Sequence, residues 1–187
     1  MIEPLTPLSR LILVTGPARS GKSEWAERLA KNSGLSVIYI ATSRLDSTDT
    51  EWQSRIQQHQ VRRPSEWKTL EVPVQLATTL QAVSNPNTCI LVDSLGTWLA
   101  NILEEDDSSW KTILEDLITT LNKVSGLIIF VAEETGWGVV PAYPIGLKFR
   151  DRLGILVQKI GAISNPVYLV TGGHVLNLSQ LGSPLEF

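Results

Sequence analysis

Residues 16–23 read Gly16-Pro17-Ala18-Arg19-Ser20-Gly21-Lys22-Ser23, a full G-x-x-x-x-G-K-[ST] pattern. The residue types suit the holding of a phosphate chain. Glycines let the backbone curl around phosphate oxygens, and a helix starting there offers unpaired N–H groups and the positive end of its dipole. Lys22 reaches the β- and γ-phosphates and acts in catalysis, while the Ser23 hydroxyl is a ligand for Mg²⁺. The nucleotide-binding set expected from the motif is therefore Gly16, Pro17, Ala18, Arg19, Ser20, Gly21, Lys22 and Ser23. An acid for the same metal belongs at the end of a neighbouring strand, and the run Thr88-Cys89-Ile90-Leu91-Val92-Asp93 ends in one. Asp93 has a second reading, as the cap of a helix starting at Leu95. The motif alone does not choose among kinases, ATPases, GTPases and nucleotidyl transferases, which all use it.

The chain has two histidines, His59 and His174. Trp52, Ile56, His59 and Arg63 recur at spacings of four, three and four, so on a helix His59 lies on the inward stripe. A histidine there is ordinarily a packed residue. Against this, Arg55, Arg62 and Arg63 put three guanidiniums near the imidazole, and these suit a phosphate better than an apolar core. Spacing leaves both readings open. His174 follows Gly172-Gly173 and reads as a turn residue. Trp137, in the Gly- and Pro-rich stretch 136–144, is the tryptophan best placed to touch a large flat ligand, and that stretch reads as a mobile site loop.

Elements must position these groups. Strand-length apolar runs fall at 11–15, 37–42, 88–93, 127–132 and 167–171, without polar alternation, as parallel strands covered on both faces require. Helical spacing occupies the intervals: the stripe Trp25, Ala26, Leu29 and Ala30, then 49–62, 74–82, 95–103, 109–124 and 144–163, with a short edge hairpin strand within 172–178. The expected fold is α/β, a mostly parallel sheet with helices on both faces, of the P-loop NTPase type. With 187 residues, one catalytic domain over 1–187 is expected. Hydrophobic residues make up 43% and charged ones 19%, which excludes intrinsic disorder. A net charge of -3 without any run of five like charges argues against a nucleic-acid partner. The single cysteine, Cys89, excludes a disulfide framework, and the apolar runs are too short for membrane insertion, so a cytoplasmic protein is expected.

Several blocks carry a resemblance. Leu13-Val14-Thr15-Gly16 with Ala18-Arg19-Ser20-Gly21-Lys22-Ser23, then Tyr39-Ile40-Ala41-Thr42, Arg55-Ile56-Gln57-Gln58-His59, Arg63-Pro64 and Trp67-Lys68-Thr69 follow in order. They continue as Leu91-Val92-Asp93-Ser94-Leu95, Trp98-Leu99, Asn101, Glu134-Thr135-Gly136 and Gly138-Val139-Val140-Pro141. Phe149-Arg150-Asp151, Gly154, Gln158 and Val167-Tyr168-Leu169-Val170 complete the series. Together they resemble the bifunctional adenosylcobinamide kinase / adenosylcobinamide-phosphate guanylyltransferase family.

The resemblance implies two reactions. The hydroxyl of the aminopropanol arm of adenosylcobinamide is phosphorylated from ATP or GTP, and GMP from GTP is then joined to that phosphate, giving adenosyl-GDP-cobinamide and pyrophosphate. It implies that GMP passes through a covalent bond to His59. Beside it, the charges of Arg55, Arg62 or both are expected to neutralise the α-phosphate, with Asp93 at the nucleotide and Mg²⁺ held by Ser23 and Asp93 as the motif reading has it. A homo-oligomer is also implied, expected to be a trimer. Three positions depart from the family pattern: Pro17 for a glycine, and Glu133 and Val157 each for an asparagine. Two rivals remain at this stage, a kinase for another small alcohol with His59 structural, and a non-enzymatic nucleotide-dependent switch.

Overall fold

The computed structural model describes residues 10–44, 63–138 and 140–185. The helix expected over 49–62, and with it Trp52, Arg55, His59 and Arg62, lies outside the described residues. Five strands form where apolar runs were read: β1 (Leu11–Gly16), β2 (Ser36–Ala41), β4 (Thr88–Asp93), β5 (Leu127–Glu133) and β6 (Val167–Thr171). Two short strands, β3 (Lys68–Glu71) and β7 (His174–Asn177), join them at the edges. The order is β3-β2-β4-β5-β1-β6-β7, parallel throughout except for the β6–β7 hairpin. The helices among the described residues are α1 (Lys22–Asn32), α2 (Leu76–Val83), α3 (Leu95–Asn101), α4 (Asp107–Lys123), α5 (Pro144–Ile163) and the short α6 (Leu178–Leu181).

The strands are apolar on both faces because each feeds two cores. Along β1, Leu11 and Leu13 enter one and Ile12 and Val14 the other. β4 divides likewise into Ile90 and Val92 against Cys89 and Leu91, and β5 into Ile128 and Phe130 against Ile129 and Val131. The first core is closed by α2 to α5 through residues such as Leu80, Trp98, Leu117 and Leu156. The second is closed by α1 through Ala26, Leu29 and Ala30, with Trp25 half-buried and edge-on to Tyr168. β3 was not foreseen. Its residues Lys68-Thr69-Leu70-Glu71 are mostly polar and exposed, and its strand form comes from pairing with β2, Ile38 to Lys68 through Ala41 to Glu71.

Local chemistry sets the helix ends. Asp106 caps α4 by accepting from Ser109 N–H at 2.8 Å, and Pro144 opens α5 where a missing N–H costs nothing. One buried cation fastens α5 to the turn between α3 and α4: Arg152, 4% exposed, donates to the Leu103 carbonyl at 3.3 Å and the Glu105 carbonyl at 2.8 Å. Its guanidinium also reaches Asp107 at 2.8 Å and sits 5.3 Å from the Trp110 ring centroid. Among the described residues no helix is long and apolar enough to cross a membrane.

Two outcomes follow from this packing. Replacing Arg152→Met should lower the free energy of unfolding in urea by about 2–3 kcal/mol, since charge-assisted bonds to buried carbonyls are lost, whereas the fully exposed Asp107 adds little. Burial pushes the Cys89 thiol up from 9.0 to about 12. Its folded value exceeds the unfolded one, so the stability it contributes is complete below pH 9.0 and is lost as pH rises towards about 12. Cys89→Ala should flatten that part of the stability profile, and Ellman's reagent should label native protein only as it unfolds.

Candidate active site

β1 ends in the phosphate-loop motif at the C-terminal edge of the sheet. Gly16 is there because a Cβ would strike the Val170 carbonyl of β6 and the Ser20 hydroxyl. The Gly16 carbonyl accepts from Glu134 N–H at 2.9 Å, which pins the loop's start to β5. Pro17 has no N–H to offer a phosphate, but its carbonyl accepts from Ser20 N–H at 3.3 Å and from Lys22 Nζ at 3.3 Å. Arg19 (φ 58°) and Gly21 (φ 91°) turn the chain through the left-handed region, a conformation costly for arginine and natural for glycine. Gly21 then stands at the N-cap of α1 with no side-chain capping bond. The first-turn N–H groups are thereby left for an anion. Lys22 is 8% exposed, so its charge is presented from a largely dehydrated position. Ser20 Oγ is buried with no hydrogen-bond partner among the described residues.

The acid at the end of β4 faces this loop. Asp93 Oδ1 accepts from Ser23 Oγ at 3.4 Å, and Oδ2 accepts from the Tyr39 hydroxyl at 2.8 Å. Capping of α3 belongs instead to Ser94, whose side chain accepts from Thr97 N–H at 3.2 Å. Ser23 and Asp93 thus present two hard oxygen donors across the loop, the kind Mg²⁺ takes. No group of three or more His, Cys, Asp or Glu able to hold a metal occurs among the described residues, so nucleotide oxygens and water would have to complete the shell. That matches how Mg²⁺ binds beside phosphates.

Residues outside the motif hold these groups still. Glu133, at the end of β5, accepts from Ser94 Oγ at 2.6 Å and Gly96 N–H at 3.0 Å, and Gly96 must lack a Cβ because the carboxylate occupies that space. Glu133 therefore serves as a brace for the segment after Asp93. Thr42 exchanges hydrogen bonds with Ser94, at 2.7 and 2.9 Å, and Asn101 Nδ2 ties the Thr42 and Pro73 carbonyls together. Val157, the third departure, packs at the edge of the α2–α5 core. Tyr39 is 2% exposed, and burial first, then the Asp93 charge, raises its pKa so far that it stays protonated. The Arg63 guanidinium lies 3.5 Å from the Tyr39 ring centroid.

The structure thus brings together Gly16 through Ser23 and Asp93. Arg55, His59 and Arg62 lie outside the described residues. Trp137 is 67% exposed in the loop after β5, and His174 sits at the β6–β7 turn, where Nδ1 pairs with the Gly172 carbonyl at 2.9 Å, a turn role as read. Sequence reading did not single out Tyr39, Thr42, Asn101 or Glu133 for the site. Each works through a partner more than 30 positions away, and local spacing carries no sign of such contacts.

Comparison with known proteins places this geometry. The family model for cobinamide kinase / cobinamide phosphate guanyltransferase matches residues 12–178. The bifunctional adenosylcobalamin biosynthesis protein CobP of Pseudomonas aeruginosa is 42% identical over 92% of this chain and 98% of its own length. The Escherichia coli protein named CobU, with the same description, is 34% identical over 87% of this chain and 96% of its own. Among solved structures, a Pyrococcus horikoshii OT3 protein superposes with a TM-score of 0.56 at 8% identity, covering 96% of this chain and 94% of that one. The type III secretion ATPase EscN of enteropathogenic E. coli gives 0.52 at 12% identity, covering 87% of this chain and 43% of that one. These structural likenesses speak for the P-loop NTPase fold alone. The match across nearly the whole chain decides the family: the chain belongs to the cobinamide kinase / cobinamide phosphate guanyltransferase family.

Proposed function

We propose that this single-domain chain is a bifunctional enzyme of cobalamin biosynthesis that phosphorylates adenosylcobinamide with ATP or GTP and then transfers GMP from GTP to the product. The observation that carries the reading is the convergence of the buried Lys22, the open N-terminus of α1 and the Ser23–Asp93 pair at one sheet edge, in a chain matched over 12–178 by that family. In the kinase step the aminopropanol oxygen attacks the γ-phosphorus, the bond to the bridging β-phosphate oxygen breaks, the nucleoside diphosphate leaves and the hydroxyl proton passes to water, while the loop N–H groups and Lys22 stabilise charge on the γ-phosphoryl. Ser23 and Asp93 would hold Mg²⁺, which would neutralise the triphosphate oxygens.

In the second step a neutral His59 nitrogen attacks the α-phosphorus of GTP. The N–P bond forms as the bond to the β-phosphate oxygen breaks, and pyrophosphate leaves. An oxygen of adenosylcobinamide phosphate then attacks the same phosphorus, forming the P–O–P link and releasing the imidazole. Arg55 and Arg62 offset the negative charge at the α-phosphate. Arg63, four positions after His59 in the sequence, stacks on the tyrosine that donates to Asp93, and this supports the reading. We assign the enzyme to the cytoplasm, in keeping with its lone buried thiol, and to a homo-oligomer, a trimer with sites near the subunit contacts.

Two variants test the assignment. Lys22→Ala should lower both activities at least ~100-fold, as expected when a preorganised charge donor is lost; near-wild-type rates in either assay would require a second nucleotide site. GTP labelled on the α-phosphate should leave an alkali-stable, acid-labile adduct on the chain. His59→Ala should abolish that adduct and guanylyl transfer while keeping kinase turnover within about tenfold of wild type, because phosphorylation of the alcohol needs no covalent intermediate. Label persisting in His59→Ala would place the nucleophile elsewhere.

A further inference from the structure

We propose that Tyr39 is a positioning residue for the metal-binding carboxylate, its hydroxyl fixing the plane of the Asp93 carboxylate so that an oxygen faces the phosphate loop, and that the stacked guanidinium of Arg63 holds the phenol in that role. The proposal rests on the reading of Asp93 as the metal-side acid. Tyr39 lies inside β2 between β3 and β4, in the core that α1 closes. A phenylalanine would fill that core equally well. The hydroxyl is therefore unexplained by packing, and its hydrogen bond goes to Asp93 Oδ2 at 2.8 Å.

That bond has a geometric consequence. The last torsion of a carboxylate is broad, so its plane can swing and turn both oxygens off the loop. With one oxygen held by the Tyr39 phenol, that plane is set, and the other oxygen stands on the Ser23 side, 3.4 Å from the Ser23 hydroxyl. The β2–β4 register places Ala41 opposite Asp93, two residues beyond Tyr39, so the phenol reaches forward along the sheet to the end of the neighbouring strand. Arg63 completes the arrangement from the other side of the ring. Its guanidinium sits 3.5 Å from the ring centroid, and its buried Nε has no acceptor among the described residues, so the ring face provides the contact for that part of the side chain. A planar cation pressed on the ring blocks tilting of the phenol away from Asp93.

The test measures metal binding directly. Mn²⁺ is titrated into the full-length chain with a non-hydrolysable GTP analogue and followed by electron paramagnetic resonance, while analogue affinity is measured separately in EDTA. Tyr39→Phe should weaken Mn²⁺ binding about tenfold, as loss of a charge-assisted hydrogen bond that orders a ligand predicts, with metal-free analogue affinity within about twofold of wild type. Excess Mg²⁺ should restore kcat in both reactions. Arg63→Met, which keeps the hydroxyl but removes the stacked cation, should shift Mn²⁺ affinity in the same direction by about threefold, and replaces Tyr39→Phe if that variant does not fold. Asp93→Asn separates two failures. If Asp93→Asn weakens Mn²⁺ binding and neither Tyr39→Phe nor Arg63→Met does, positioning by Tyr39 is overturned and the metal-side reading of Asp93 stands. If Asp93→Asn also binds Mn²⁺ like wild type, the reading of Asp93 falls, and this inference with it. Equal loss of metal-free analogue affinity in Tyr39→Phe would mark general damage to the loop and also overturn the proposal.

Discussion

The N–H groups at the start of α1 have no side-chain cap, so one internal turn bond, Ser20 N–H to the Pro17 carbonyl, is not enough to fix the loop between β1 and α1. Much of its shape is imposed by its neighbours. The Gly16 carbonyl is held by Glu134 N–H, the Val170 carbonyl crowds Gly16 from β6, and the Pro17 carbonyl collects Ser20 N–H and the Lys22 ammonium. The neighbours of β1 on both sides thus spend backbone groups on the loop. A seven-stranded sheet with two cores supplies those neighbours at fixed positions.

The same constraint explains why the acid comes from β4. Strand β5 lies between β1 and β4, and its register sets Gly16 against Glu133 on one side and Asp93 against Val131 on the other. The relative height of phosphate loop and acid is therefore a property of two parallel registers, each locked by side chains buried on both faces. A slip of one residue would turn every apolar side chain to the opposite core. Glu133 extends this control past the end of the strand by taking Ser94 Oγ and Gly96 N–H with one carboxylate. Glu133 thus joins the β1–β5 register, where it lies opposite Gly16, to the segment that follows Asp93.

What was legible in the sequence divides along the same line between local and distant interactions. The loop motif, the five buried strands and α5 (Pro144–Ile163) could be read directly, because a glycine pattern, an unbroken apolar run or a 3.6-residue period is written in adjacent positions. β3 could not, since Lys68-Thr69-Leu70-Glu71 has no apolar signal of its own and becomes a strand by pairing with β2. Asp93 was legible as an acid at a strand end but not as distinct from a cap; that required seeing Ser94 take Thr97 N–H. Tyr39 reads locally as one more apolar strand residue, and its partner lies 54 positions away. Arg55, His59 and Arg62, which lie outside the described residues, keep the standing the resemblance gives them.

Pro17 lacks a donor, and its ring also acts on the unfolded chain. Proline fixes its own φ and steers the preceding residue towards extended conformations, and that residue is Gly16, which otherwise has the widest conformational freedom of any in the loop. Both restrictions agree with the observed path, in which Gly16 finishes β1 as a strand residue. Less disorder is then surrendered when the loop assumes its curve, by an amount of order 0.4–1 kcal/mol for such a substitution at a compatible position. The saving belongs to folding, so the proline ring helps to set the loop's curve before any ligand arrives.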